Sequence, residues 1–208
     1  MAVKYSVQAS SQDAAFLSAL AAHWKLSATA VASKDDEPSV NGAIGLAAVA
    51  IALLEASPAA LAAGWLGASA ADRATVLNWT LFAVNQVRAA EQNAALRTAL
   101  FVDLNAALRE RTYIATSSIS LADVLLHFTL WPLVSALDHV GYRQVPHLTR
   151  WFDNVQRTLN VRPILALQLN QFYIAQSLPV LRLPRVQAVA PTATPTPAAA
   201  ASSSRQAK

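Results

Sequence analysis

Leucines recur at positions 96, 100, 104 and 108, and this four-residue spacing predicts a helix over 93–111 with one apolar stripe. Val76, Trp79, Phe82 or Ala83, and Val87 share a face in the same way, which predicts a helix over 71–91. Phe16, Leu17, Leu20 and Trp24 mark another between Ser11 and Trp24. Period-two patterning shows only near the N-terminus. Lys4 to Gln8 alternates polar and apolar residues, and Ala28 to Ser33 is a second, weaker strand candidate. The polar turn Lys34-Asp35-Asp36-Glu37-Pro38 follows, and Asn41-Gly42 then leads into an apolar helix that ends near Ser57-Pro58.

One helix start is specified by its side chains. Ser120 is placed to accept from the N–H of Asp123, and Asp123 to reach back to the N–H of Ser120, with Ile119 and Val124 spaced as a hydrophobic staple. This capping box opens a helix from Leu121 to about Leu137 and gives Asp123 a structural role. Gly141 and Pro146 punctuate the next connection. Residues 147–160 form a helix carrying Arg150, Trp151 and Phe152, and Pro163 suits the first turn of a last helix reaching about Leu178. Beyond Pro184 the chain is Ala, Pro, Thr and Ser without periodicity, the pattern of a disordered tail or linker. Two faint strands with helices, followed by helices alone, predict an α+β, mostly α protein. Trp79 and Trp151 are its expected core aromatics.

Composition sharpens this picture in three places. At 208 residues, 54% hydrophobic and 13% charged, with abundant alanine, the chain suits closely packed helices. With no cysteine it has neither a disulfide framework nor a thiolate metal site, as is common in the cytoplasm. The formal charge of +4 comes entirely from Arg182, Arg185, Arg205 and Lys208, because residues 1–181 hold 12 Lys/Arg against 12 Asp/Glu. A neutral body lacks the basic stripe that phosphate binding needs, so direct tRNA binding by the body is not expected. The longest apolar run, Ala43 to Leu54, is too short to span a bilayer, and no secretory signal is expected at the N-terminus.

Candidate chemistry is sparse. His23, His127, His139 and His147 are not spaced as metal ligands, and no carboxylate cluster joins them. His127 shares a helix face with Trp131 and is expected to pack. Asp35-Asp36-Glu37 fits a solvated turn. Ser117-Ser118 and Ser202 to Ser204 have no histidine at an interpretable spacing, and the five glycines form no phosphate-cradling loop. No catalytic, cofactor or metal residue is therefore assigned. Arg150, beside Trp151, is either a solvated helix-face cation or an interface cation.

The ordered set Tyr113-Ile114, Ser120-Leu121-Ala122-Asp123-Val124 and His147-Leu148-Thr149-Arg150-Trp151-Phe152 resembles the C-terminal half of the glutathione-transferase-like fold. It is most similar to the non-enzymatic members attached to translation. These are the multi-synthetase-complex scaffolds of the elongation factor 1-epsilon type, the N-terminal appendage of methionyl-tRNA synthetase, and the N-terminal domains of tRNA-binding synthetase cofactors. The likeness extends upstream through Pro38 to Gly42, Trp65-Leu66-Gly67 and Ala71-Asp72-Arg73-Ala74, and covers roughly residues 15–175. It implies a reduced thioredoxin-like N-terminal subdomain over 1–63, an all-α glutathione-transferase C-terminal-like domain over 64–181, and a tail or linker over 182–208.

The departures from the enzymes bear on function. Fewer residues precede the helical part than in a full thioredoxin-like half. Tyr5, Ser10 and Ser11 lack the setting of a catalytic residue. Where the enzymes open their third helix with an acidic residue and Ser, this chain is expected to present Asn41-Gly42. The resemblance therefore implies a non-catalytic cytoplasmic adaptor for aminoacyl-tRNA synthetases or other glutathione-transferase-like domains, as homo- or heterodimer. The partner face would map to Arg150, with Arg143, Gln144 and His147 as neighbours in sequence. Two alternatives stay open: a divergent glutathione transferase, or the docking domain of a tRNA-binding cofactor cut before its tRNA-binding module.

Overall fold

Alternation in the first residues produces a strand with one buried face. In β1, Val3–Val7, Tyr5 and Val7 point into the core and Lys4 faces solvent. The computed structural model describes residues 3–8, 11–33 and 37–158. Ser10, Asp35, Asp36, the expected last helix and the Ala/Pro-rich tail lie outside them, while Glu37 is exposed.

Ser11 caps helix α1, Gln12–His23, by accepting from Ala14 N, and the chain returns as β2, Ala28–Ala32, parallel to β1 with Tyr5 opposite Ala30. β3, Ser39–Val40, pairs antiparallel with β1, and β4, Ala43–Ile44, pairs with β3. The mixed sheet runs in the order β2-β1-β3-β4.

Asn41-Gly42 does not open the following helix. Both residues have positive φ, 50° and 83°, and close the two-residue hairpin between β3 and β4. That is the geometry asparagine and glycine favour in tight hairpins. Helix α2, Leu46–Glu55, begins after the hairpin at Gly45, which supplies no side-chain cap. The apolar run from Ala43 is thus part strand and part buried helix.

A short helix, α3, Pro58–Ala62, follows; Ser57, where the sequence predicts only a helix end, also caps it by accepting from Ala60 N. Next comes α4, Ala70–Phe82, which widens into a π-helical stretch, Ala83–Val87, and continues as α5, Arg88–Glu91. The predicted stripe holds at Val76, Ala83 and Val87, which are fully buried. Trp79 is only partly buried and meets Phe82 edge-on at 5.1 Å, on the rim of the core. Helix α6, Ala94–Ala107, buries Leu100 and Leu104, and Leu108 follows them inward, but Leu96 in its first turn is 49% exposed.

The loop at Trp65-Leu66-Gly67 ties two helix starts together. Trp65 O accepts from Leu121 N at 2.9 Å. Gly67 has φ 95°, and a Cβ there would lie 2.6 Å from Asp72 Cβ, so no larger residue fits. Asp72 itself closes a capping box with Ser69 at the start of α4.

Helix α7, Leu121–Ser135, is buried on nearly every side, as expected of a helix with no continuous polar face. It packs on α4 and the π stretch, and Phe128 stacks on Phe16 of α1 at 4.2 Å. Gly141 lies within a short helix, α8, His139–Gln144, where the sequence predicted only a connection; Asp138 caps it by accepting from Gly141 N. Helix α9, Pro146–Thr158, completes the described residues, with Trp151 and Phe152 in a core continuous with Tyr5 of β1.

Candidate partner-binding surface

The surface is set from beneath by a buried carboxylate. Asp123 Oδ2 accepts from Ser120 N at 3.1 Å and Ser120 Oγ at 2.8 Å. Its Oδ1 accepts from Ile114 N at 2.8 Å and Trp151 Nε1 at 2.9 Å. Burial, the largest influence, leaves the pKa of Asp123 raised, and these four hydrogen bonds offset only part of that rise. The group has no accessible edge, so it offers nothing to a ligand. It is a joint between the start of α7, the turn at Ile114, and α9.

With α9 fixed, its first turn falls beside α6. Helix α9 begins at Val145-Pro146 without a capping side chain of its own. Asn105 of α6 supplies one, its Oδ1 accepting from His147 N at 2.9 Å and Leu148 N at 3.2 Å. One turn later, Arg150 Nη2 donates to Leu108 O at 2.7 Å and Arg111 O at 2.9 Å. Arg111 Nη1 in turn donates to Ile114 O at 3.2 Å. Arg150 is therefore neither a freely solvated cation nor one held wholly in reserve for a partner: its guanidinium clamps the C-terminal end of α6, where unsatisfied carbonyls favour a positive charge.

Two open grooves flank this clamp. One, of about 370 Å³, lies between residues 109–112 and α9, with Arg150, Trp151 and Asn154 on its walls. The other, of about 520 Å³, runs between α6 and the α8–α9 junction, past Gln144 and His147. Gln144 is exposed and His147 half-buried. Arg143 is exposed but lines neither groove. Three of the four sequence-predicted residues, Arg150, Gln144 and His147, thus divide between two adjoining depressions, and Arg143 is in neither.

Arg109 lines both. Sequence reasoning passed over it, although a signal was there: Val102, Asn105, Ala106 and Arg109 recur at helical spacing on the side of α6 opposite its leucine stripe.

Elsewhere the candidate groups have local roles. Tyr5 is buried, its hydroxyl 3.3 Å from Ser18 Oγ, and Ser11 is occupied as a helix cap. His127 stacks on Phe152 at 4.0 Å, and burial lowers its pKa to about 3. Among the described residues, neither of its ring nitrogens has a hydrogen-bond partner, and no group of His, Cys, Asp or Glu is arranged to hold a metal ion. Nor is any described helix long and apolar enough to cross a membrane.

Residues 83–159, which include both grooves, match a family described as nuclear-export cofactor Arc1p. Mouse eukaryotic translation elongation factor 1 epsilon-1 is 31% identical over 101 residues, 49% of this chain and 58% of that protein. The human protein of that name is 29% identical over the same length. The chain thus matches little more than half the length of these curated relatives. Among solved structures, the glutathione-transferase-like domain of elongation factor 1-gamma from Saccharomyces cerevisiae is similar at TM-score 0.63 and 17% identity, covering 82% of this chain and 94% of that one. A Bombyx mori glutathione transferase is similar at TM-score 0.64 and 13% identity, covering 79% and 92%. At such identities the structural likeness speaks for the fold alone. The protein is α+β and mostly α, with a glutathione-transferase-like fold whose thioredoxin-like N-terminal part is reduced, and its sequence resembles translation elongation factor 1 epsilon-1 and the Arc1p cofactor family.

Proposed function

We propose that the chain is a non-catalytic cytoplasmic adaptor. It pairs its glutathione-transferase-like domain with those of aminoacyl-tRNA synthetases or other translation factors, and so favours aminoacylation by proximity. The observation that carries this is a coincidence of place. The stretch similar to translation-associated cofactors, residues 83–159, is the stretch that holds the two grooves around Arg150. We place the working division of the chain at 1–63, 64–181 and 182–208.

The start of α2 supports the non-catalytic part of the proposal. Glutathione transferases open the corresponding helix with an acidic residue and a serine that grip the peptide. Here the opening is Gly45-Leu46, with neither a carboxylate nor a hydroxyl. The balanced charge of residues 1–181 argues for contact with proteins rather than tRNA.

Affinity purification of the tagged full chain, with captured proteins quantified, tests the proposal. Synthetases or synthetase-binding cofactors should be enriched, and titration calorimetry should give no heat with millimolar glutathione. Retention on glutathione with turnover of an electrophile, and no synthetase captured, would replace the adaptor with an enzyme.

A further inference from the structure

We propose that Arg109 is the recognition cation of this surface and that its ligand is an aspartate or glutamate side chain of the partner protein; the inference rests on the adaptor reading above. Three guanidinium groups line the groove between residues 109–112 and α9. Two are spent on the protein itself, Arg150 on Leu108 O and Arg111 O, and Arg111 on Ile114 O. Arg109 is exposed, and among the described residues its guanidinium makes no hydrogen bond or ion pair, its backbone N–H alone donating to Ala106 O. It also stands where the two grooves adjoin, so a side chain docked in either one passes within its reach.

The surroundings favour a carboxylate on a protein. Arg109, Arg111 and Arg150 line the first groove with Glu110 as its one acidic residue, a local excess of positive charge on a body, residues 1–181, whose charges cancel as a whole. Val102, 60% exposed, and Ala106 add an apolar wall to the larger groove, which suits a packed protein partner better than a sugar–phosphate chain. A guanidinium matches a carboxylate through two parallel hydrogen bonds, and a contact made beside apolar wall is partly shielded from water. A lone cation just past a helix C-terminus also stabilises that helix, so the test must separate the two roles.

The full-length tagged chain is compared with Arg109→Glu and Arg109→Lys in the purification described above, with thermal unfolding measured for each. Arg109→Glu should cut capture of the synthetase-associated partner at least tenfold while the unfolding midpoint stays within a degree or two. Arg109→Lys should retain capture, and a zero-length carbodiimide should then link position 109 to an Asp or Glu of the partner, found as a cross-linked peptide. If the wild type captures the partner and Arg109→Glu does so equally, the inference fails and the adaptor stands. Capture that RNase abolishes would make the ligand a phosphate and overturn it as well. If the wild type captures no translation protein, the adaptor itself falls, and this inference with it.

Discussion

Trp151 Nε1 donates to Asp123 Oδ1 at 2.9 Å, across 28 positions of sequence. This bond joins the helix start at Ser120 to the Arg-Trp-Phe segment and makes one structural unit of two motifs. Removing the carboxylate orphans four donors at once: Ser120 N, Ser120 Oγ, Ile114 N and Trp151 Nε1. Asp123→Ala should therefore lower the unfolding free energy by about 3–5 kcal/mol, the range seen when a buried network loses its central partner. Trp151→Phe, which removes one donor and leaves a small cavity where the indole's second ring was, should cost about 2–3 kcal/mol, less than the loss of all four bonds. Denaturant titrations of both variants check the order. A smaller loss for Asp123→Ala than for Trp151→Phe would refute the joint.

Arg150 and Arg109 should separate cleanly by stability. Arg150 bonds Leu108 O at the end of α6 and Arg111 O in the turn beyond it, so Arg150→Ala should cost about 1–3 kcal/mol, the usual worth of hydrogen bonds to a charged group. The Arg109 side chain bonds nothing among the described residues, and Arg109→Ala, which keeps the backbone bond to Ala106 O, should stay within about 0.5 kcal/mol. Equal losses for the two, measured by chemical unfolding, would mean that the clamp is not what holds this corner.

What the sequence made legible follows from the range of the interactions involved. The Ser120–Asp123 box lies within four residues, and the leucine stripe of α6 needs only helical spacing, so both were visible in the chain. Asn41-Gly42 misled because a two-residue hairpin needs strands on either side, and β3 and β4 are two residues each, too short for any alternation to show. Arg109 was missed for another reason. A cation becomes distinctive only when its neighbours are spent, and the bonds that spend Arg150 cross 39 and 42 positions. Nothing local announces that.

Asn105 is a case of the same kind. Helix α9 opens on Val145-Pro146, and its cap comes from α6, 42 residues earlier. Asn105→Ala should cost about 1 kcal/mol, as loss of an N-cap does. Asn105→Asp keeps the acceptor and adds a charge that the helix N-terminus favours, so it should be neutral or slightly stabilising. Thermal melts of the pair test this. If Asn105→Asp is as damaging as Asn105→Ala, the asparagine is needed for its amide protons and not as a cap.

His127 makes stability depend on pH in a direction that can be worked out. Burial lowers its folded-state pKa to about 3, whereas an unfolded histidine titrates near its ordinary value of 6.5. Between these values the unfolded chain binds a proton that the folded chain refuses, so stability falls as pH drops from about 6.5 toward 3. At one pKa unit per 1.36 kcal/mol, the loss at pH 5 is on the order of 2 kcal/mol. His127→Leu removes the titrating group and two ring nitrogens that have no partner among the described residues, and keeps an apolar side chain against Phe152. Its unfolding free energy should therefore exceed that of the wild type at pH 5 by more than it does at pH 8. Parallel pH profiles for the two proteins over that interval would show that His127 is protonated inside the fold and that the proposed linkage is absent.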